Sequence, residues 1–320
     1  MKEHFVTLFD FGFLPQGLCL YRSLESNCTK FHLWILCLDH KVFSYLSSLN
    51  LPNVSLLDLT KLESSELKDI KQQRTRAEYC WTLTPWSIYW VFQDKPDIQR
   101  VTYVDADLFF LDSLEPIYQD FDQSACSVLL TKHNYSPEHD QSFERGIYCV
   151  QFLTFARGPG EVVLSWWKEK CIEWCFDRVE NGKFGDQKYL EEFPKLFAND
   201  VHICTLDSAF LAPWNVSHYR YSEAICYHFH GLRVMPNHMI FASDYLLPVP
   251  VLNNIYRPYI SLMFELAESR LIHLEPQIMH APSWLFILML KIRKKFVYWL
   301  SHQFTAPYYF WNKRSGCNLL

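Results

Sequence analysis

Two aspartates one residue apart, Asp105 and Asp107, are the strongest candidates for chemistry in this 320-residue sequence. They follow the apolar run Val101–Val104, which predicts a β-strand. The chain leaves the extended form at a strand end, so two alternating side chains can converge on one ion. Their oxygens suit Mn²⁺ or Mg²⁺ and leave coordination positions open for phosphate. The alternative is a turn or a helix cap, which the pair alone fits about equally well.

Two later segments carry side chains that suit a sugar substrate. Asp186 and Gln187 follow a glycine, and this order predicts a loop that enters a helix with Asp186 near its amino end. Capping of that helix is the alternative role for Asp186. Trp214 and Asn215 follow a proline in a predicted rigid turn, and an aromatic ring beside an amide suits a sugar ring. The alternative for this pair is a structural role in the loop.

The segment His228–Arg233 (HFHGLR) combines three useful groups. His228 and His230 offer imidazole nitrogens that can bind a metal. Gly231 gives the backbone freedom, and Arg233 offers a cation for phosphate. A single histidine is more often a satisfied core group. Two histidines that flank a phenylalanine and precede Gly-x-Arg favour a functional site.

The order of these four segments resembles the nucleotide-diphospho-sugar glycosyltransferases of the GT-A fold. The similarity is greatest to the glycogenin and lipopolysaccharide galactosyltransferase group and to bacterial relatives with a segment like Trp81–Pro85 (WTLTP), and it spans roughly residues 4 to 260. It implies a Rossmann-like α/β fold with a mixed, mainly parallel sheet flanked by helices. It also implies transfer of a hexose from a nucleotide-diphosphate donor, a UDP-sugar above all, to a saccharide or lipid-linked acceptor.

The resemblance implies a three-ligand metal site for Mn²⁺ or Mg²⁺. Asp105 and Asp107 bind the ion, Asp107 most directly. The third ligand in relatives is a histidine three residues before a glycine. This spacing selects His228, with His230 as the alternative.

The resemblance also assigns the donor contacts. Arg233 holds the diphosphate, although relatives usually carry a lysine one residue later. Phe9 and Asp10 touch the base or ribose at the end of the first strand. Asp186 and Gln187 line the donor sugar beside the reacting carbon and are the catalytic candidates. The contacts to donor sugar or acceptor therefore comprise Asp186, Gln187, Trp214, Asn215 and Gln151.

One segment departs from the relatives' pattern. They commonly carry Asn-x-Gly in the strand after the metal site, where this chain has Cys149 and Gln151. The identity of the donor sugar therefore stays open. The relatives retain the donor's anomeric configuration, which front-side attack or a covalent intermediate on Asp186 could achieve. Both mechanisms remain open for this chain.

Composition limits the other functions. The formal net charge of −5 argues against a nucleic-acid partner. The 11 cysteines include no C-x-x-C pair, and we expect reduced thiols, with Cys171 and Cys175 packed one helical turn apart. The amino terminus enters strand-like sequence directly, which predicts no signal peptide and a cytoplasmic protein. The rival functions are a non-catalytic carbohydrate-binding protein on the same fold and a nucleotidyltransferase, whose Gly-rich basic loop is lacking.

Alternating short apolar runs and helical spacings indicate the α/β units that position these residues. The predicted strands are His4–Phe9, Phe31–Leu38, Val54–Leu59, Val101–Val104, Cys126–Thr131 and Val150–Phe155. The predicted helices cover Leu14–Leu24, Val42–Leu46, Pro85–Phe92, Glu161–Val179 and Asn253–Ala267.

We predict a transferase domain over residues 1–245 and a helical carboxy-terminal extension over 246–320. Trp284–Leu300 carries four basic residues within an apolar and aromatic run, and its apolar part, Trp284–Leu290, is too short to cross a bilayer. Such a helix can lie in the interface of an anionic membrane leaflet, which would place the protein on the inner face of the membrane and suit a lipid-linked acceptor. The alternative is a terminal helix packed on the domain.

Overall fold

The chain is built around a large β-sheet. The computed structural model describes residues 2–234, 239–271, 304–305, 308–312 and 316–319. The strands within these residues are β1 (Glu3–Phe9), β2 (Phe31–Cys37), β3 (Val54–Asp58), β4 (Arg100–Val104), β5 (Leu108–Phe110), β6 (Val128–Lys132), β7 (Tyr148–Ala156), β8 (Val201–Ile203), β9 (Phe210–Leu211), β10 (Cys226–His228), β11 (Arg233–Val234), β12 (Met239–Phe241), β13 (Leu247–Pro248), β14 (Phe304–Thr305), β15 (Tyr308–Asn312) and β16 (Gly316–Leu319).

Helices flank the sheet and connect its strands. They are α1 (Leu14–Asn27), α2 (His40–Leu49), α3 (Leu59–Leu62), α4 (Ser65–Lys71), α5 (Arg76–Asp94), α6 (Glu115–Ser124), α7 (Ser142–Arg145), α8 (Pro159–Glu173), α9 (Phe193–Leu196), α10 (Val249–Val251) and α11 (Arg257–Leu271). Single turns of 3-10 helix occur between them, and one π-helical turn over Leu252–Tyr256 joins α10 to α11.

In the described residues, seven strands form the main sheet in the order β3-β2-β1-β4-β7-β6-β8. The first four are parallel to one another, β7 is antiparallel to both its neighbours, and β6 is parallel to β8. The prediction of a mixed, mainly parallel sheet between helices is confirmed. The carboxyl ends of β1 and β4 therefore meet at one edge, together with the loop from β6 to β7.

Strand β1 shows why the central strands read as unbroken apolar runs. Val6 and Leu8 enter the core on the α5 side, whereas Phe5 and Phe9 enter the core on the α1 side. A strand buried on both faces has no solvent side, so polar alternation disappears. The ring of Phe9 lies against α1 so closely that a Cβ at Gly17 would be 2.4 Å from its Cζ atom. Glycine at position 17 is thus required by the position of Phe9.

The largest differences in helix extent from the predictions are at α5 and α8. α5 begins at Arg76, nine residues before Pro85, because Thr75 and Glu78 form a capping box at its start. α8 ends at Glu173, six residues before the predicted end. There the guanidinium of Arg74 donates hydrogen bonds to the carbonyls of the last turn, which satisfies groups that a helix end leaves free.

The carboxy-terminal part is helical first and then forms strands. The helical segment over residues 249–266 shares a core with β10, as Tyr227 and Phe229 pack among Tyr256 and Tyr259. Strands β15 and β16 extend the sheet of β11 and β12, so the carboxy-terminal part contains strands as well as helices. The basic segment Trp284–Leu300 lies outside the described residues. None of the helices described is long and apolar enough to cross a membrane.

Cysteines behave as small apolar residues in this fold. Ten of them are free in the described part of the chain. Cys171 and Cys175 are fully buried, and their packing role is confirmed. Burial raises the pKa of the Cys171 thiol well above its usual range, with Cys175 adding to the effect.

Candidate metal centre

Three potential metal ligands converge at the carboxyl edge of β4. One donor atom each from Asp105, Asp107 and His228 lies within 4.8 Å of the others. The Nε2 atom of His228 is 3.1 Å from Oδ1 of Asp107 and 3.6 Å from Oδ2 of Asp105. In the described chain this is the one His, Cys, Asp and Glu cluster with metal-binding spacing. The structure brings together the three residues that the resemblance selected.

Backbone hydrogen bonds hold this geometry. The amide of Asp105 donates to the Gln151 carbonyl on β7 at 3.1 Å, and the Asp105 carbonyl accepts from Leu108 at 3.0 Å, which closes a turn. β5 then pairs antiparallel with β10, so Leu108 lies opposite His228. The chain must turn between β4 and β5, and both aspartates consequently face one histidine.

The electrostatics of the cluster call for a cation. Burial opposes ionisation of Asp107, but the charge and hydrogen bond of His228, together with the charges of Arg233 and His230, lower the pKa of Asp107 to about 2. Burial raises the pKa of Asp105 to about 6, with His228 opposing and Asp107 adding to the rise. Burial disfavours the imidazolium of His228, yet Asp107 raises its pKa well above the usual range. The positive charge of a protonated His228 thus partly balances the two carboxylates. A divalent ion bound by the three side chains would supply that positive charge instead.

This donor set fits a hard divalent ion. Carboxylate oxygens and one imidazole nitrogen suit Mn²⁺ and Mg²⁺, and three protein ligands leave positions for phosphate oxygens. His230, the alternative ligand, is exposed and stands outside the cluster. Its ring instead packs against Trp214 at a centroid distance of 5.3 Å.

Asp186 is a buried carboxyl beside the cluster. Only 4% of it is exposed, and its Oδ2 atom has no hydrogen-bond partner in the described residues. Burial, and then the charge of Asp105, raise its pKa to about 8. Gly185 has a φ of +52° and packs on the ring of Trp81, while Trp167 Nε1 donates to the Asp186 carbonyl at 2.8 Å. The carboxyl is therefore held in place and kept neutral near pH 7.

The neighbours of Asp186 do not use it as a helix cap. A 3-10 turn begins at Lys188, and the residue before it, Gln187, caps it with no side-chain hydrogen bond. Gln187 Nε2 donates instead to the Arg145 carbonyl at 2.7 Å, across to the loop between β6 and β7. Gln151 on β7 is 1% exposed, and its Oε1 atom is also without a partner.

Trp214 and Asn215 have mainly structural contacts within the described residues. The Asn215 amide accepts from the Ala212 N–H at 2.8 Å and donates to the carbonyls of His133 and Phe210 at 2.9 and 3.1 Å. Trp214 is 4% exposed, and its Nε1 donates to the same His133 carbonyl at 2.9 Å. Their polar groups are therefore used within the protein.

The side chains predicted to contact the nucleotide divide into two groups. Arg233 is partly exposed on β11, lies 5.0 Å above the ring of Phe13, and helps lower the pKa of Asp107. No carboxylate of the described residues is within ion-pair distance of it. Phe9, by contrast, is 3% exposed in the core. Asp10 accepts from the N–H groups of the next turn and pairs with Arg76 at 2.5 Å.

Sequence reasoning missed two residues that act on these sites. Tyr103 donates its hydroxyl to Oδ1 of Asp105 at 2.9 Å. It precedes Asp105 by two residues on the same strand, so the two-residue period could have identified it. Arg76 pairs with Asp10 and lies 3.6 Å from Asp39, at the carboxyl ends of β1 and β2. No local pattern marks that contact, because the three residues belong to separate elements.

Comparison with known proteins places the chain in a family. No family model matches the sequence. The uncharacterized protein YfnF of Bacillus subtilis (strain 168) is 32% identical over 255 residues, which cover 73% of this chain and 83% of YfnF. The chain belongs to the YfnF family. YfnD of the same organism is 28% identical over 274 residues, covering 80% of this chain and 87% of YfnD.

Solved structures identify the fold of this YfnF-family protein. The galactosyltransferase LgtC, in complex with donor and acceptor sugar analogs, superimposes with a TM-score of 0.50 at 15% identity, over 88% of this chain and 98% of LgtC. The glycosyltransferase GlyE of Streptococcus pneumoniae TIGR4 gives a TM-score of 0.50 at 14% identity, over 87% of this chain and 66% of GlyE. The YfnF-family chain therefore has the GT-A fold.

Proposed function

We propose that this protein is a metal-dependent glycosyltransferase. It moves a hexose from a nucleoside-diphosphate donor, a UDP-sugar, to a saccharide or lipid-linked acceptor. The observation that carries the proposal is the convergence of Asp105, Asp107 and His228 at the carboxyl edge of a GT-A sheet. Open α/β sheets bind their ligands at this edge. The YfnF family thereby gains a testable activity.

Each residue of the site is assigned a role that follows from the chemistry of its side chain. Asp105, Asp107 and His228 would hold Mn²⁺ or Mg²⁺, which neutralises the charge on a departing diphosphate. Arg233, free of an ion pair among the described residues and close enough to act on Asp107, supplies a second positive charge for phosphate.

Asp186 orients the donor sugar in this proposal. Burial raises the pKa of the Asp186 carboxyl to about 8, so its protonated form prevails near pH 7, and that form is a weak nucleophile that can donate one hydrogen bond and accept another. The Oδ2 atom of Asp186 and the Oε1 atom of Gln151 are buried and have no partner among the described residues. Both atoms can therefore accept hydrogen bonds from sugar hydroxyls. Front-side attack with retention of configuration is consistent with this role, because it needs no covalent bond to the protein.

A donor panel tests the activity. Purified protein would be incubated with Mn²⁺ and UDP-, GDP- or TDP-sugars, and free nucleoside diphosphate would be measured. We expect slow hydrolysis of one donor, lost in Asp107→Ala and kept in Asp94→Ala, a half-exposed aspartate at the far end of α5. Sugar binding without turnover of any donor would instead favour a carbohydrate-binding protein on this fold.

The acceptor is addressed separately. We propose that the basic segment Trp284–Leu300 gives peripheral contact with an anionic membrane, which suits a lipid-linked acceptor. Liposomes with and without anionic lipid would be sedimented with the full chain and with a full-length chain in which Lys291, Arg293, Lys294 and Lys295 are changed to glutamine. Equal sedimentation of both chains would contradict the membrane contact and leave a saccharide in solution as the acceptor.

A further inference from the structure

The orientation of the His228 ring has an unusual basis. Its Nε2 atom faces Asp107 at 3.1 Å, so this nitrogen is the one available to an ion. The other nitrogen, Nδ1, is buried and meets no oxygen or nitrogen partner among the described residues, and the polar group that acts on the ring there is the weakly hydrogen-bonding thiol of Cys149. A metal-binding histidine almost always donates from its second nitrogen to a carboxylate, carbonyl or water, which fixes the ring. A thiol restrains a ring only weakly, so packing must supply most of that restraint here.

Trp214 is the group that packs on this ring. The two rings have centroids 5.4 Å apart and planes at 88°, an edge-to-face contact. The indole also lies edge-on to His133 and His230, at 5.3 Å from each. Since Trp214 is 4% exposed, rotation of the His228 ring about its χ2 angle would collide with a side chain that has little room to move.

Trp214 is itself anchored at both ends. Its Nε1 donates to the His133 carbonyl at 2.9 Å, and its own carbonyl accepts from the amide and the hydroxyl of Ser136 at 3.1 and 2.9 Å. Asn215 donates to the same His133 carbonyl at 2.9 Å. The loop after β6 and the loop after β9 are thus joined on one carbonyl, directly behind the metal-facing histidine.

We infer that Trp214 is a positioning residue for the metal site. It sets the plane of the His228 ring by contact, where other metal-binding histidines have a strong hydrogen bond from the second nitrogen. This inference rests on the proposed metal site of the glycosyltransferase. By its residue type Trp214 suited contact with a sugar ring. In this inference it acts on His228 from behind the metal site.

Binding of Mn²⁺ alone, followed by electron paramagnetic resonance without any nucleotide sugar, tests the inference. Trp214→Leu should weaken Mn²⁺ binding by about 10- to 100-fold, the usual range for changes behind metal ligands. The matched control is Trp90→Leu, which removes an equally buried indole on α5, in the core on the other side of the sheet. It should lower the melting temperature in EDTA similarly and leave Mn²⁺ affinity unchanged.

The outcomes separate the two proposals. If Trp214→Leu binds Mn²⁺ as the wild type does, or if Trp90→Leu weakens binding equally, the positioning role is overturned. Should Trp214→Leu fail to fold, Trp214→Met keeps more of the side-chain length without an aromatic ring, and unchanged Mn²⁺ affinity there also overturns the positioning role. Asp107→Ala runs in parallel: undiminished binding in that variant would refute the metal site itself.

Discussion

The negative charge of the aspartates is balanced differently at two neighbouring strand ends of the sheet. At the end of β1, Asp10 accepts hydrogen bonds from two backbone amides and pairs with the guanidinium of Arg76. At the end of β4, Asp105 and Asp107 face each other, and His228 is the cation between them. Both ends carry carboxylates in the same topological position. The second is a candidate metal site because its negative charge is left incompletely balanced.

The largest expected effect comes from removing one carboxylate at each end. Asp107→Ala should weaken Mn²⁺ binding by more than about 100-fold, because changes behind the ligands alone cost up to that much. Asp10→Ala should leave it unchanged, because that carboxylate is already satisfied. Titration of Mn²⁺ by electron paramagnetic resonance measures both. A similar loss in the two variants would mean that the difference between the strand ends is not functional.

Asp186 provides the second test, in steady-state turnover. Asp186→Ala should lower kcat/KM by about 10²- to 10³-fold, the size expected for loss of one oriented polar contact in a closed site. Asp186→Asn keeps a neutral hydrogen-bonding group and should stay within about tenfold of the wild type, or about 1.4 kcal/mol. An asparagine variant as inactive as the alanine variant would instead point to a nucleophilic carboxylate.

The third prediction concerns pH. The folded, ion-free site raises the pKa of Asp105 to about 6 and that of His228 well above its usual range. Both groups must lose their protons to bind an ion, so Mn²⁺ affinity should increase from pH 5 to pH 8, by up to about tenfold per unit for each proton released. Calorimetry in two buffers of different ionisation enthalpy would count the protons. A flat profile would contradict the coupling.

The smallest effects are expected at the end of β1, and on stability alone. Asp10→Ala removes the cap of the turn after β1 and should cost about 1 kcal/mol in the free energy of unfolding. Arg76→Met should cost less than about 1 kcal/mol, because the Arg76 side chain is 70% exposed and water screens its ion pairs. Urea unfolding measures both, and Asp10→Asn, which can keep the cap, serves as control. A larger cost for Arg76→Met would give this pair a role beyond surface balance.

Sequence patterns predicted the elements that depend on burial. The apolar run of β4 and the two aspartates after it were assigned within one residue of the observed strand, since a strand buried on both faces leaves an unbroken signal. The selection of His228 over His230 came from the resemblance to known enzymes. Spacing alone could not decide it, because either histidine could reach the loop after β4.

Features that depend on tertiary partners were less predictable. The start of α5 was missed because its capping residue Thr75 lies within the charged stretch 61–76, whose composition is typical of a solvated segment, and its partner Glu78 follows directly after. The contacts of Asn215 show the same limit: an amide in a loop looks available until the three backbone groups that occupy it are known. Residue type indicates what a side chain can do, and only the fold shows whether it is free to do it.

The two sides of the metal centre are far apart in the order of synthesis. Asp107 leaves the ribosome roughly 120 residues before His228, and the loop that carries Trp214 is also made late. Until β10 pairs with β5, the emerging chain holds two unbalanced carboxylates beside an unfinished sheet. The point in translation at which the chain first binds Mn²⁺ would therefore mark the completion of the fold. Binding requires both the early residue Asp107 and the late residue His228 to be in place.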